Sequence, residues 1–200
     1  MIQVEEIVNS IFNSKTYILY NGGENAAWLV DIGDLEPVLG FMESNHLTVK
    51  GVFITHGHFD HIYGLIGLVE RYPSCTVYST EFTKKALASS KLNLSRYHDA
   101  PFVYDKENIV VLHEGEQVLL FEGEPNVTVY ETPGHNPGCM TMVLGNMVFT
   151  GDAYIPDVGV NTQLPYSDKA LSQASLAKIK LLSLNRTILS GHQIVMVKNE

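Results

Sequence analysis

Residues 55–61 read Thr-His-Gly-His-Phe-Asp-His, placing three imidazoles and a carboxylate in seven positions. Packing alone calls for no such cluster, whereas neutral imidazole and carboxylate suit divalent zinc, manganese or iron. Four apolar, β-rich runs end in the same manner. VFIT leads into His56, VTVYETPG into His135, MVFTG into Asp152 and TILSG into His192. If these strands lie side by side and point the same way, their ends share one rim, where α/β proteins commonly build ligand sites. Gly134, Gly151 and Gly191 fit such a rim, because glycine permits sharp turns and close backbone approach.

A single ion needs only about three protein ligands plus water. Five histidines and two aspartates exceed one ion and fit two. We divide them so that His56, His58 and His135 hold one ion and Asp60, His61 and His192 the other, with Asp152 bridging. One carboxylate can span the roughly 3.5–4 Å of a two-metal site. Two zinc ions, two aspartates and a bridging hydroxide leave a cluster charge of about +1, able to stabilise an oxyanion. The chemistry expected is metal-assisted hydrolysis, the bridging hydroxide attacking an ester, thioester, lactone or phosphoester. Asp60 and Asp152 are the catalytic candidates, Asp60 orienting the nucleophile and shuttling its proton. Zinc is the first choice of metal, with iron and manganese as alternatives. His46, His98 and His113 read as ordinary solvated or hydrogen-bonded histidines.

The elements that must position these groups follow from periodicity. IQVEEIV, TYILY and AWLVDIG read as strands, with NGGEN a turn. A short helix follows from Leu35, capped by Asp34, with Pro37 in its first turn. VKGVFIT and TVYST read as strands, and HIYGLIGLVERY and EFTKKALASSKL as helices. Residues 93–108 lack a clear period and read as a long loop. NIVVL, QVLLF, NVTVYE, CMTMVL and MVFT read as strands, the last two joined through Gly145-Asn146. The 167–184 stretch gives the best helix, with Ser167 as its cap, and RTILS closes as a strand. This order suggests two sheets with helices packed outside them.

Composition bounds the rest. Two hundred residues, 45% hydrophobic and 18% charged, suit one globular domain over 1–200. A net charge of −9 argues against nucleic acid and against an anionic membrane surface as partners. No apolar run approaches the roughly 18–20 residues of a membrane span. The acidic start MIQVEEIVNS does not read as a signal peptide, so a cytoplasmic location is expected. Cys75 and Cys139 are too few for a disulfide framework and read as reduced, buried thiols.

THGHFDH at 55–61, TPGHNPGCM at 132–140, FTGDAY at 149–154 and SGH at 190–192 together resemble the metallo-β-lactamase superfamily, in its motif order. The resemblance implies a four-layer αββα sandwich of two mixed β-sheets flanked by helices, with the metal site at one edge. It implies the same ligand division, and a small-molecule substrate for a glyoxalase II-like or lactonase-like hydrolase. A homodimer would be compatible with it. By analogy with related lactonases, Tyr154 is a substrate-binding candidate; separately, the aperiodic 93–108 loop offers Tyr97, Phe102 and Tyr104 as candidates to roof the pocket. Cys139 stands where relatives are expected to carry Ser, and is expected to pack rather than attack. Glyoxalase II enzymes add a helical glutathione-binding domain. The chain ends eight residues after His192, so that domain and that specific activity are not expected. An aspartate bridge at Asp152 argues against a β-lactamase, and the acidity against an RNA-processing role. The alternative reading is a mononuclear iron persulfide dioxygenase of the same fold, using His56, His135 and Asp152.

Overall fold

The computed structural model describes residues 1–193. Two mixed sheets carry the architecture. The first contains β1 (Ile2–Val8), β2 (Lys15–Asn21), β3 (Ala26–Val30), β4 (Thr48–Phe53), β5 (Thr76–Ser79) and β6 (Ile109–Val111), in that spatial order. Strands β1 to β3 pair antiparallel, and β3 to β6 pair parallel. The parallel steps are crossed by three helices, α1 (Leu35–Ser44), α2 (Leu65–Arg71) and α3 (Glu81–Leu87). The second sheet contains β7 (Gln117–Val118), β8 (Val127–Glu131), β9 (Met140–Leu144), β10 (Met147–Gly151) and β11 (Thr187–Ser190), in the order β11-β10-β9-β8-β7. Helix α4 (Lys169–Leu182) links β10 to the parallel β11.

Strand alternation divides the core in two. On β2, Tyr17 and Leu19 face the second sheet, joining Trp28, Phe53, Val129, Met142 and Phe149 in the buried layer between the sheets. Ile18, between them, points the other way, to Leu29, Val52, Val38, Met42, Leu65 and Leu68 beneath α1 and α2. Helix α4 covers the outer face of the second sheet with Ser172, Ser175 and Ile179. Its small serines allow close approach, and Ser175 Oγ donates to the Pro133 carbonyl at 2.6 Å. The layers are therefore α, β, β, α, as expected.

Several local expectations change. The helix expected over 61–72 begins only at Leu65, after a 3-10 turn at Phe59–His61. The intervening backbone is tied instead to the 31–33 segment, Ile32 N donating to His61 O and Gly64 N to Ile32 O. Helix α3 ends at Leu87 rather than near residue 92, where the Asn93 side chain takes the Ala86 carbonyl. Asp34 precedes α1 but does not cap it, because its carboxylate is engaged by Ser10 and Tyr63. Asp168, not Ser167, caps α4 by accepting from Leu171 N, while Ser167 Oγ donates to His135 O. Only Gln117–Val118 of QVLLF is strand. Leu120 and Phe121 turn into the layer between the sheets. In the 93–108 segment, Phe102 and Tyr104 are core residues, and only Tyr97 of the three proposed roof residues reaches the cavity described below.

Candidate metal centre

The four strand ends do converge, but not as neighbours in one sheet. β4 lies in the first sheet, and in the second β9 separates β8 from β10. Because β8 and β10 each pair antiparallel with β9 and β11 runs parallel to β10, all three end on the same edge. The edge-on meeting of the two sheets brings β4's end to theirs. Gly151 makes the meeting possible. Its φ is +48°, and a Cβ there would fall 2.6 Å from the Thr55 hydroxyl.

Three groups of side chains offer donor atoms within 4.8 Å of one another: His56, His58 and His135; Asp60, His61 and His192; and His56, His61 and Asp152. Asp152 reaches both of the first two groups. Its Oδ2 lies 3.5 Å from His135 Nε2 and 3.1 Å from His192 Nε2, and its Oδ1 lies 3.5 Å from His61 Nε2. All seven are buried except His192, which is half-buried. Tyr154 is not among them. It packs against Cys139, Ala153 and Ile179 and does not line the cavity. The turn after Asp152 sends it toward α4 instead.

Four of the five imidazoles have an acceptor on the ring nitrogen that faces away from the centre. His61 Nδ1 donates to Asp31 Oδ2 at 2.8 Å, His135 Nδ1 to Asn161 O at 2.9 Å and His192 Nδ1 to Phe12 O at 2.9 Å. Thr55 Oγ donates to Asp31 at 2.7 Å, so it is free to accept from His56 Nδ1 at 3.2 Å. A neutral imidazole with Nδ1–H so engaged presents the Nε2 lone pair inward, as a metal ligand requires. His58 differs, turning Nδ1 inward to within 3.1 Å of His56 Nε2 and 3.0 Å of His135 Nε2. Its Nε2 meets the Asn136 side-chain amide at 3.2 Å.

Asp31, Phe12, Asn136 and Asn161 were not singled out by the sequence reading. Asp31 ends a buried apolar strand, an unusual place for a carboxylate, and that signal was available. It adopts φ +58° and accepts from Thr55 N, Thr55 Oγ and His61. Burial raises its pKa, and His61 and Thr55 work against the rise. The contributions of Phe12 and Asn161 are main-chain carbonyls, which leave no side-chain signature.

The electrostatics divide the site in two. Burial and the neighbouring imidazoles hold His56 well below its ordinary pKa and push His58 down to about 3. Burial opposes charge at His61 and His192 too. Asp60, Asp152 and Asp31 nevertheless raise His61 well above its usual value, and bonds to Asp152 and Asp60 raise His192 to about 10. Burial would raise both Asp60 and Asp152, but His61 and His192 drive them down. Burial and nearby Asp152 raise the Cys139 thiol above its ordinary value, and its side chain is buried against Ala153 and Ile179. Asp152 Oδ1 is buried with no hydrogen-bond partner, and a Cβ at residue 191 would fall 2.2 Å from it. An orphaned carboxylate oxygen amid inward-facing imidazole nitrogens fits a cation.

A sequence model of the Metallo-beta-lactamase superfamily matches residues 12–192. The chain belongs to that superfamily. Among curated relatives, this superfamily member is 29% identical over 195 residues to a hydroxyacylglutathione hydrolase of Hahella chejuensis, covering 92% of this chain and 64% of that protein. The chain thus spans a little under two thirds of that relative's length. Among solved structures it resembles the BLEG-1 B3 metallo-beta-lactamase, with TM-score 0.87 and 27% identity over 96% of this chain and 92% of the other. TTHA1623, solved in a di-iron-bound form, shares the metallo-beta-lactamase fold, with TM-score 0.82 and 24% identity over 96% and 93% of the two chains. No helix among the described residues is long and apolar enough to cross a membrane.

Proposed function

We propose that this chain is a metal-dependent hydrolase of small ester, thioester, lactone or phosphoester substrates, its described residues 1–193 forming one domain. The observation that carries the reading is the unpartnered, buried Oδ1 of Asp152 at the junction of two imidazole-rich groups. His56 Nε2, His58 Nδ1 and His135 Nε2 would hold one divalent ion; Asp60 Oδ2, His61 Nε2 and His192 Nε2 would hold a second; Asp152 would span the two. Zinc is the leading choice, with iron or manganese as alternatives, and the di-iron form of TTHA1623 keeps iron in view. When bound, such ions polarise a carbonyl or phosphoryl oxygen and lower the pKa of a bound water to about 7.

The chain's own residues do the rest. Asp31, Thr55 and the carbonyls of Phe12 and Asn161 hold the rings in the tautomer and orientation that keep the inward nitrogens free. Asp60 Oδ2 stands 3.2 Å from His192 Nε2 at the cavity floor, placed to orient an attacking water and accept its proton. The cavity above has a volume of about 450 Å³, within the range of small-molecule sites. The hydroxyacylglutathione hydrolase relative supports the ester and thioester end of the substrate range.

The test is a hydrolysis panel covering the four substrate types, run on protein of measured metal content. Turnover of at least one type that scales with metal content is expected. A single iron per chain with oxygen uptake and no hydrolysis would replace this reading with the dioxygenase.

A further inference from the structure

We infer that the substrate is an uncharged ester, thioester or lactone bearing an apolar acyl chain, seated on a wall that includes Phe12, Phe59, Tyr97, Ile155, Val158 and Leu164. This inference rests on the hydrolase reading and narrows it. These six side chains line the same cavity whose floor carries His58, Asp60, His135, Asp152 and His192. Apart from that floor, the lining among the described residues offers two ionisable side chains, Tyr97 and His98, and no Lys, Arg, Asp or Glu.

Two further observations point the same way. Phe12, Tyr97 and Val158 expose 67%, 73% and 43% of their surface, and these three large apolar groups share the mouth of one cavity. Phe12 and Leu94, both lining residues, sit at φ +55° and +64°, a conformation costly for bulky side chains. The Phe12 ring is set by an edge contact to His98 at 6.0 Å, and His98 lies 4.3 Å from Phe59. The nearby cation, Arg96, stands 5.6 Å from the Tyr97 ring centroid but does not line the cavity.

A charged leaving arm such as glutathione would lose water against this wall and meet no Lys or Arg among its described lining residues. The chain's net charge of −9 would also disfavour the approach of its carboxylates. The wall is therefore assigned to the acyl side. In the reaction, water oxygen bonds to the acyl carbon as the acyl–sulfur or acyl–oxygen bond breaks. One water proton leaves with the thiol or alcohol, the other with the acid, and nothing is oxidised or reduced.

The test uses the full, metal-loaded chain and N-acetylcysteamine thioesters from acetyl to octanoyl, beside glutathione thioesters of the same acyl groups. kcat/KM should rise about three- to fourfold per methylene, which is the roughly 0.8 kcal/mol of burying one CH2 converted at about 1.4 kcal/mol per tenfold. The glutathione thioester should be at least about tenfold poorer than its neutral counterpart. Val158→Lys, a change at an exposed position, should flatten the acyl series and narrow the gap to the glutathione thioester. A flat acyl series, a preference for the glutathione thioester, or an unchanged slope in both Val158→Lys and Tyr97→Ser would overturn the inference. No hydrolysis in either series by fully loaded protein would instead remove the hydrolase reading beneath it.

Discussion

Beneath the floor of the cavity, His56 and His61 have no exposed surface, and their outward nitrogens are tied to Thr55 and Asp31. At its mouth, Tyr97 and Phe12 are mostly in water, and Phe12 meets its neighbour His98 only by a ring edge. The floor is over-determined. Each ring has its own partner, drawn from separate segments: Asp31 for His61, Phe12 O for His192, Asn161 O for His135, Thr55 for His56 and Asn136 for His58. The mouth is held by a few apolar contacts. That division suits a centre whose chemistry needs fixed geometry and whose selectivity can change through exposed side chains without disturbing it.

The contrast can be broken hardest at the floor. Asp152→Ala removes the one carboxylate that reaches both groups. Metal content and hydrolysis should fall together, turnover by more than about a hundredfold, as read by elemental analysis beside a rate assay. Full activity at unchanged metal content would take Asp152 out of the centre. One layer out, Asp31→Asn keeps the shape but removes the charge that faces His61 Nδ1. A loss of about ten- to a hundredfold in metal affinity is expected, with far-UV circular dichroism unchanged. Wild-type affinity in the variant would make Asp31 a purely structural residue.

At the mouth the expected effects are smaller. Tyr97→Ser should reduce the gain per added methylene by about a factor of two, with metal content unaffected. Any loss of metal in that variant would show that floor and mouth are not separable.

The smallest effect lies outside both regions, at Asp34. Burial alone would raise its pKa, but Tyr63 Oη, Ser10 Oγ and Ser10 N, donating at 2.6, 2.8 and 2.7 Å, hold it below the ordinary carboxylate value. The unfolded chain then binds this proton more readily than the folded one. Its stabilisation is complete above the ordinary pKa of about 4 and disappears as pH falls through the lower folded value. Asp34 is only half-buried and its partners reach it from the surface, so the contribution is screened to below about 1 kcal/mol. Urea midpoints of metal-free wild type and Asp34→Asn should differ slightly at neutral pH and converge in acid. A gap that widens in acid would reverse the sign.

The same contrast governs what the sequence disclosed. The floor was legible because metal-capable side chains carry their chemistry in their names, and strand periodicity placed them at strand ends. It was the pairing that periodicity could not give: β4 meets the others across two sheets, not beside them. The supports were hidden for different reasons. Asp31 lay inside a run read as strand, and Phe12 and Asn161 act through carbonyls that every residue has. The expected helix at 61–72 lost its first turn to hydrogen bonds with residues 31–33, a tertiary preference that no local pattern encodes. At the mouth, sequence offered only proximity. Tyr154, two residues past Asp152, turns away, while Ile155 lines the cavity. Phe102 and Tyr104, read with Tyr97 as a roof, are core residues, because an aperiodic segment does not say which aromatic faces in.

The most direct measurement is elemental analysis of the protein purified without added metal, beside the same preparation of Asp152→Ala. If the seven side chains enclose a pair of cations, the wild type should carry about two equivalents of zinc, iron or manganese per chain and the variant clearly fewer. Absence of transition metal from the wild type, even after incubation with excess zinc, would contradict the central claim.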